Sequence, residues 1–255
     1  MVIDILTIFP SMVKPALSES LLGKAIEESL IEINVVDIRS FTEDRHQVVD
    51  DAPFGGGPGM VMKVEPLYAA IKSRTELSTA GKPRILLTSA SGKTFNQKIA
   101  EELSGETHII IVCGRYKGID ERIQKLFDIE EISIGDYVLS GGEFPALVMT
   151  EAIARLLPGY MGKFEAAETD SFTSGLLGYP EYTRPQEFMG LAVPEVLISG
   201  HHKNIREFRR TKAIEKTLKN RPDLLEIAEL TEEDRAIIDR LKRKKENSSI
   251  EGDAP

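Results

Sequence analysis

The chain has 255 residues, enough for one large domain or two smaller ones, and a hydrophobic fraction of 41% supplies a core. A net charge of −9 argues against bulk, non-specific nucleic-acid binding, although not against a local basic patch. The single cysteine, Cys113, excludes an intrachain disulfide framework and a cysteine-based zinc site, and its apolar setting IIIVC makes it a small core residue.

The opening MVIDILTIFP lacks a basic leading stretch, carries Asp4 and stops at Pro10, so it reads as a buried strand rather than a signal peptide. No run reaches the roughly 18 apolar residues of a membrane span. A soluble, cytoplasmic protein is the expectation.

In chain order, Val2–Phe9 reads as a strand, Leu17–Leu30 as a helix and Ile33–Ile38 as a strand. Ser40–Met60 is a polar, glycine-rich loop. Pro66, with Leu67, Ala70 and Ile71, suggests a short helix carrying proline in its first turn. Strand Arg84–Thr88, helix Phe95–Leu103, strand His108–Cys113, helix Ile119–Phe127, strand Glu131–Ile134 and helix Phe144–Leu157 follow. This alternation implies an α/β domain with a mostly parallel sheet over residues 1–159. Residues 160–173 lack a clear period and read as a flexible linker. Residues 174–246 are mostly helical, and the polar tail 247–255 is expected to be disordered.

Two apolar strands, His108–Cys113 and Glu131–Ile134, each break into a glycine-bearing loop: Gly114-Arg115-Tyr116-Lys117-Gly118, then Gly135-Asp136-Tyr137 and Gly141-Gly142-Glu143. Glycine at a strand end lets a ligand come close to the backbone. Two such loops would wall a pocket with main-chain N–H and C=O groups able to read an adenine-like edge. The plainer alternative is a pair of tight turns.

A further distinctive loop runs from Arg45 to Met60, with four glycines in five residues at Gly55, Gly56, Gly57 and Gly59. Pro53 and Pro58 stiffen it, and His46 and Asp50 set titratable groups beside it. Its alternative is a flexible connector.

Other motifs are weaker. Ser91-Gly92-Lys93-Thr94 sits where a phosphate-binding Walker loop would, but the required earlier glycine position is Leu87, so a turn with Thr94 as helix N-cap is the better reading. No Gly-x-Gly-x-x-Gly follows a strand, and the four histidines are too scattered for a metal cage. Residues 201–221 hold eight Lys/Arg against Glu207 and Glu215, a polyanion site or a solvated helix face.

Taken together, DRHQVVDDAPFGGGPGMVM, GRYKGIDERI, SIGDYVLSGGE, TDSFTSGLLGYPEYTRP and VPEVLISGHH resemble the bacterial tRNA (guanine-N1)-methyltransferases of the TrmD type, in the SPOUT superfamily. The resemblance spans about residues 1–222. It implies an α/β domain with a C-terminal trefoil knot, a smaller helical domain that grips the tRNA anticodon arm, and a homodimer with active sites at the interface. It implies S-adenosylmethionine bound at the knot by Leu87, Thr88, Ser89, Gly114, Tyr116, Ile134, Gly135, Tyr137, Leu139, Gly141 and Gly142. Lys117 departs from the pattern, standing where an acidic residue is more usual. Metal ligands are not expected, and the sequence leaves a use of Mg2+ open.

The chemistry that the resemblance implies is methyl transfer to N1 of guanosine 37 of tRNA. N1 carries a proton at neutral pH, so the reaction needs a base and a group to hold charge at O6. Asp170 is the candidate base and Arg155 the candidate partner of O6. The residues alone allow duller roles, Asp170 as a helix N-cap and Arg155 as a partner of Glu151. Candidate contacts to guanine or tRNA are His46, Asp50, Gly55, Gly56, Gly57, Gly59, Tyr182, Arg184, His201, His202, Arg209 and Arg210. The alternatives are a SPOUT RNA methyltransferase with another target nucleoside and a non-catalytic RNA-binding homologue.

Overall fold

The computed structural model describes residues 1–79, 81–161 and 170–251, with side chains of 244–251 excepted. The chain divides into two compact units, Met1–Gly162 and Lys163–Pro255.

In the first unit, five strands form one sheet: β1 (Val2–Thr7), β2 (Glu32–Asp37), β5 (Arg84–Thr94), β6 (His108–Cys113) and β7 (Ile129–Ser133), in the order β2-β1-β6-β5-β7. Every pairing in it is parallel. Alternation along β6 explains why both faces are covered. Ile109, Ile111 and Cys113 join a core with helices α1 (Pro10–Leu17), α2 (Ser20–Glu27), α4 (Gln97–Ser104) and α6 (Glu143–Ala154). Ile110 and Val112 join the opposite core, with α3 (Val64–Glu76) and α5 (Arg122–Leu126). A strand buried on both faces has to be largely apolar, which Ile109–Cys113 supply, while the buried His108 at its start is paired with Asp4 at 2.8 Å.

Several expectations are corrected. The helix expected over 17–30 is the shorter α2, and α1, which lies before it and ends at Leu17, is not among the expected elements. Pro10 starts α1 rather than merely ending the first strand, and the Ser18 amide and hydroxyl both turn back onto the Pro15 carbonyl to close it. Strand β5 runs on to Thr94, its register against β7 shifting between Thr88 and Lys93. SGKT is therefore strand. The cap of α4 is Asn96, whose side chain accepts the Ile99 amide at 3.1 Å; Thr94 is not the cap. The loop expected over 40–60 contains order: a 3-10 turn at Ile38–Phe41 precedes it, and β3 (Asp50–Asp51) pairs antiparallel with β4 (Val61–Met62), making a hairpin tipped by the glycines.

The second unit carries a short hairpin, β8 (Glu187–Phe188) with β9 (Leu191–Ala192), and helices α7 (Glu195–Ile198), α8 (His202–Asn220), α9 (Leu224–Ile227) and α10 (Glu232–Glu251). Leu176, Ala213, Ile214 and Ile238 form its core. The backbone of α10 is helical through Glu251, where the sequence suggests disorder from 247. The expected linker falls largely on residues 162–169, outside the described residues.

Candidate functional site

The carboxyl ends of parallel strands are where α/β sheets bind ligands. Here the loops after β6 and β7, with the irregular part of β5, enclose a cleft of about 330 Å³. That lies in the usual size range of small-molecule sites. All the residues expected to hold the donor line it: Leu87, Thr88, Ser89, Gly114, Tyr116, Ile134, Gly135, Tyr137, Leu139, Gly141 and Gly142. Ile119, Ile132 and Pro145 add apolar surface. The lining includes no aspartate or glutamate; its charged residues are Arg115 and Lys117.

Main-chain and side-chain bonds fix the cleft wall. Gly142 N–H donates to the Gly114 carbonyl at 2.9 Å, and Gly114 N–H to Thr88 Oγ1 at 3.1 Å. The Thr88 hydroxyl in turn donates to the Val112 carbonyl at 3.2 Å. Strands β5 and β6 and the start of α6 are thereby tied at one point. Gly142 is obligatory there, because a Cβ would overlap Thr88 Oγ1 and stand 2.8 Å from Cys113 Cα. On the other side, the Tyr137 hydroxyl donates to the Ile134 carbonyl at 3.2 Å. Hydrogen bonds from Ser89, then Gln124 and Ser91, hold the Glu131 carboxyl below its ordinary pKa.

Behind the wall lies a network that sequence reasoning missed. Glu143, only 1% exposed, accepts from the Thr7 hydroxyl at 2.9 Å and from Arg115 Nη1 at 3.0 Å. The Arg115 guanidinium also stacks 4.4 Å from the centre of the Phe9 ring. Glu143 sits in the first turn of α6, where a carboxylate meets the positive end of the helix. Arg and Glu in GRYKG and SGGE were visible, but not their pairing. Burial pushes the free Cys113 thiol well up, and nearby Glu143 adds to this, in keeping with its reading as a core residue.

The glycine-rich hairpin joins this cleft directly. Lys117 N–H donates to the Met60 carbonyl, and Met62 N–H to the Gly118 carbonyl, both at 3.0 Å. Asp50 pairs in register with Met62. Gly55, Gly56 and Gly57 all have positive φ with open space around them, and Phe54 beside them is fully exposed. His46 is exposed, its amide held by Asp44.

Arg155 belongs to the first unit, at the C-cap of α6, its amide bonded to the Glu151 carbonyl. The Glu151 carboxylate takes the Tyr160 hydroxyl at 2.8 Å. Asp170 belongs to the second unit, where no helix follows it to be capped: residues 171–174 form a turn. It lines a separate cleft with Tyr179, Arg206, Arg209 and Arg210. Arg209 stacks 4.8 Å from the Tyr179 ring centre. Arg210, expected to meet RNA, is committed within the unit. It clasps Asp234 with two bonds of 2.8 Å and draws that carboxyl down to about 2. Tyr182, Arg184, His201 and His202 are all exposed. Among the described residues no group of three or more His, Cys, Asp or Glu could hold a metal ion, and no helix is long and apolar enough to cross a membrane.

These features define an α/β protein with a cleft at the carboxyl edge of a parallel sheet. The chain belongs to the family described as tRNA (Guanine-1)-methyltransferase TrmD, whose profile matches residues 1–227. A protein of Moorella thermoacetica named tRNA (guanine-N(1)-)-methyltransferase is 50% identical over 242 residues, 95% of this chain and 97% of its own. Proteins of the same name from Geobacter metallireducens and Halalkalibacterium halodurans are 52% and 46% identical, covering 92% and 96% of this chain and 95% and 100% of their own.

Proposed function

We propose that the chain transfers the methyl group of S-adenosylmethionine to N1 of guanosine 37 of tRNA. The observation that carries the reading is the convergence of every expected donor residue on one cleft, in a chain whose relatives are named for guanine-N1 methylation of tRNA. The cleft suits this donor: an apolar floor and glycine-loop peptide groups for a flat heterocycle, with space beside Gly118 for a tail. When bound, the donor supplies an electrophilic methyl group on a sulfonium that leaves as a neutral thioether.

The protein then has two tasks. Asp170 accepts the N1 proton as the N1 lone pair forms the new bond to carbon, and Arg155 holds the negative charge that moves toward O6. The hairpin tip at Gly55–Gly59 receives the guanine edge on backbone groups, once the base has left its stack. The loops around Thr88–Gly92, Gly114–Gly118 and Ile134–Gly142 form a trefoil knot. The second unit is a helical RNA-binding domain, and two copies assemble with active sites at their interface.

Incubation of the protein with labelled donor and unmodified tRNA, followed by nucleoside analysis, tests the reading. N1-methylguanosine at position 37 is expected. A different methylated nucleoside would indicate another RNA target, and binding without transfer would indicate a non-catalytic homologue.

A further inference from the structure

Of the two cations lining the cleft, one is spoken for. Arg115 is tied to Glu143 and Phe9, with its side chain 19% exposed. Lys117 is different. It is exposed, and among the described residues no carboxylate pairs with it. Its position is nonetheless fixed. Its amide is bonded to the Met60 carbonyl at 3.0 Å, and its methylene stem crosses Gly59: a Cβ added at Gly59 would stand 3.1 Å from Lys117 Cγ and Cδ and 3.5 Å from Cε. Gly59, at φ +92, leaves a groove that the stem fills. The ammonium is thus carried along the glycine-rich hairpin, at the seam between that hairpin and the cleft.

An exposed ammonium on a placed stem, with no carboxylate partner among the described residues, can bind an oxyanion. Two oxyanions could reach this seam: the carboxylate of an amino-acid-bearing donor in the cleft, and a phosphate of RNA entering over the hairpin. The stem lies against the hairpin, which favours the phosphate. The protein as a whole carries −9, so a polyanion held against it needs local cations. Resting on the reading above, we propose that Lys117 is a tRNA-binding residue that holds a backbone phosphate next to the target guanosine. It locks the RNA strand to the hairpin, and the Lys117–Met60 and Met62–Gly118 backbone bonds tie that hairpin to the cleft.

The test compares full-length wild type with Lys117→Met, which keeps the stem on Gly59 and removes the charge, and with Lys117→Arg, which restores it. Three readouts are taken: KM for tRNA in methyl transfer, the salt dependence of tRNA binding, and donor affinity by calorimetry. Lys117→Met should raise KM for tRNA roughly five- to tenfold and flatten the log–log salt slope by about one. Its donor affinity should stay at the wild-type value, and Lys117→Arg should recover both tRNA readouts. An unchanged slope and KM in Lys117→Met would overturn the proposal. So would a loss of donor affinity with the slope intact, which would assign the ammonium to the donor carboxylate. The slope is read without turnover, so wild type that binds tRNA but transfers no methyl group would sink the functional reading while the slope still decides the role of Lys117.

Discussion

Arg115, on the loop after β6, and Glu143, in the first turn of α6, meet through a single Nη1–Oε2 bond of 3.0 Å, the carboxylate almost wholly buried. The pair fastens the two glycine loops of the cleft to each other. Thr7, at the carboxyl end of β1, the strand beside β6, completes it. A buried charge that loses its partner is strongly destabilising, whereas removing both partners is far milder.

Glu143→Gln should therefore lower stability by about 2–3 kcal/mol, because it leaves the Arg115 guanidinium without its balancing charge. Donor affinity should fall with it as the loops loosen. Adding Arg115→Met should recover part of the stability but not the affinity. Chemical denaturation of the two single variants and the double variant measures the coupling. Additive losses would mean that the pair does not act as a unit.

Gly142→Ala should be a folding defect and not a simple block to ligand binding. Its Cβ would meet Thr88 and the backbone at Cys113, not the open cleft. The β5–β6–α6 junction would have to open, so the melting temperature should drop together with donor binding. Gly118, which also lines the cleft, has open space where a Cβ would stand, with no atom within 4 Å; Gly118→Ala should cost only the strain of its φ of +123, about 1 kcal/mol. Melting curves of both variants, with and without donor, separate the two cases.

The sheet was legible because each of its strands announces itself locally. HIIIVC is apolar from Ile109 onward, and its bounds match the sequence reading to the residue. The cleft was legible because two glycine-bearing loops follow neighbouring strands, and the residues that the resemblance implies as donor contacts line it. Helix α1 was hidden by Pro10 and Pro15, which read as breakers although one starts the helix. The network of Thr7, Arg115 and Glu143 was illegible for another reason. Its members are as much as 136 residues apart, and nothing local in a threonine or glutamate says which buried donor it will meet. The same holds for Arg210, which looks like its neighbours in the basic run until Asp234 is seen beside it on another helix.

Asp170→Asn keeps the size of the side chain and removes its ability to take a proton. Methyl transfer should slow by about 10²–10⁴-fold, with donor affinity unchanged. Raising the pH should restore part of the rate, since the N1 proton of guanine is then lost without help. Single-turnover rates across a pH series provide the check, and wild-type turnover in this variant would remove Asp170 from the reaction.

The Arg210–Asp234 clasp changes how the basic run has to be tested. Charge reversal at Arg210 would leave Asp234, 2% exposed, facing a second carboxylate, and should cost about 2 kcal/mol or more of stability whatever the run binds. Arg209 is the usable probe: it stacks on Tyr179 and lies 3.9 Å from Glu181, a loose and exposed pairing. Arg209→Glu should raise KM for tRNA and flatten the salt slope while donor affinity stays put. The clasp also predicts an acid limit. The Asp234 carboxyl is lowered to about 2 chiefly by the Arg210 hydrogen bonds, so its contribution is complete above the unfolded value near 4 and is lost as pH falls from about 4 to about 2. Asp234→Asn should remove that contribution at neutral pH and make stability less dependent on pH in this window. Urea titrations at pH 7 and pH 3 measure it: equal pH dependence in wild type and Asp234→Asn would show that the clasp does not hold the second unit together.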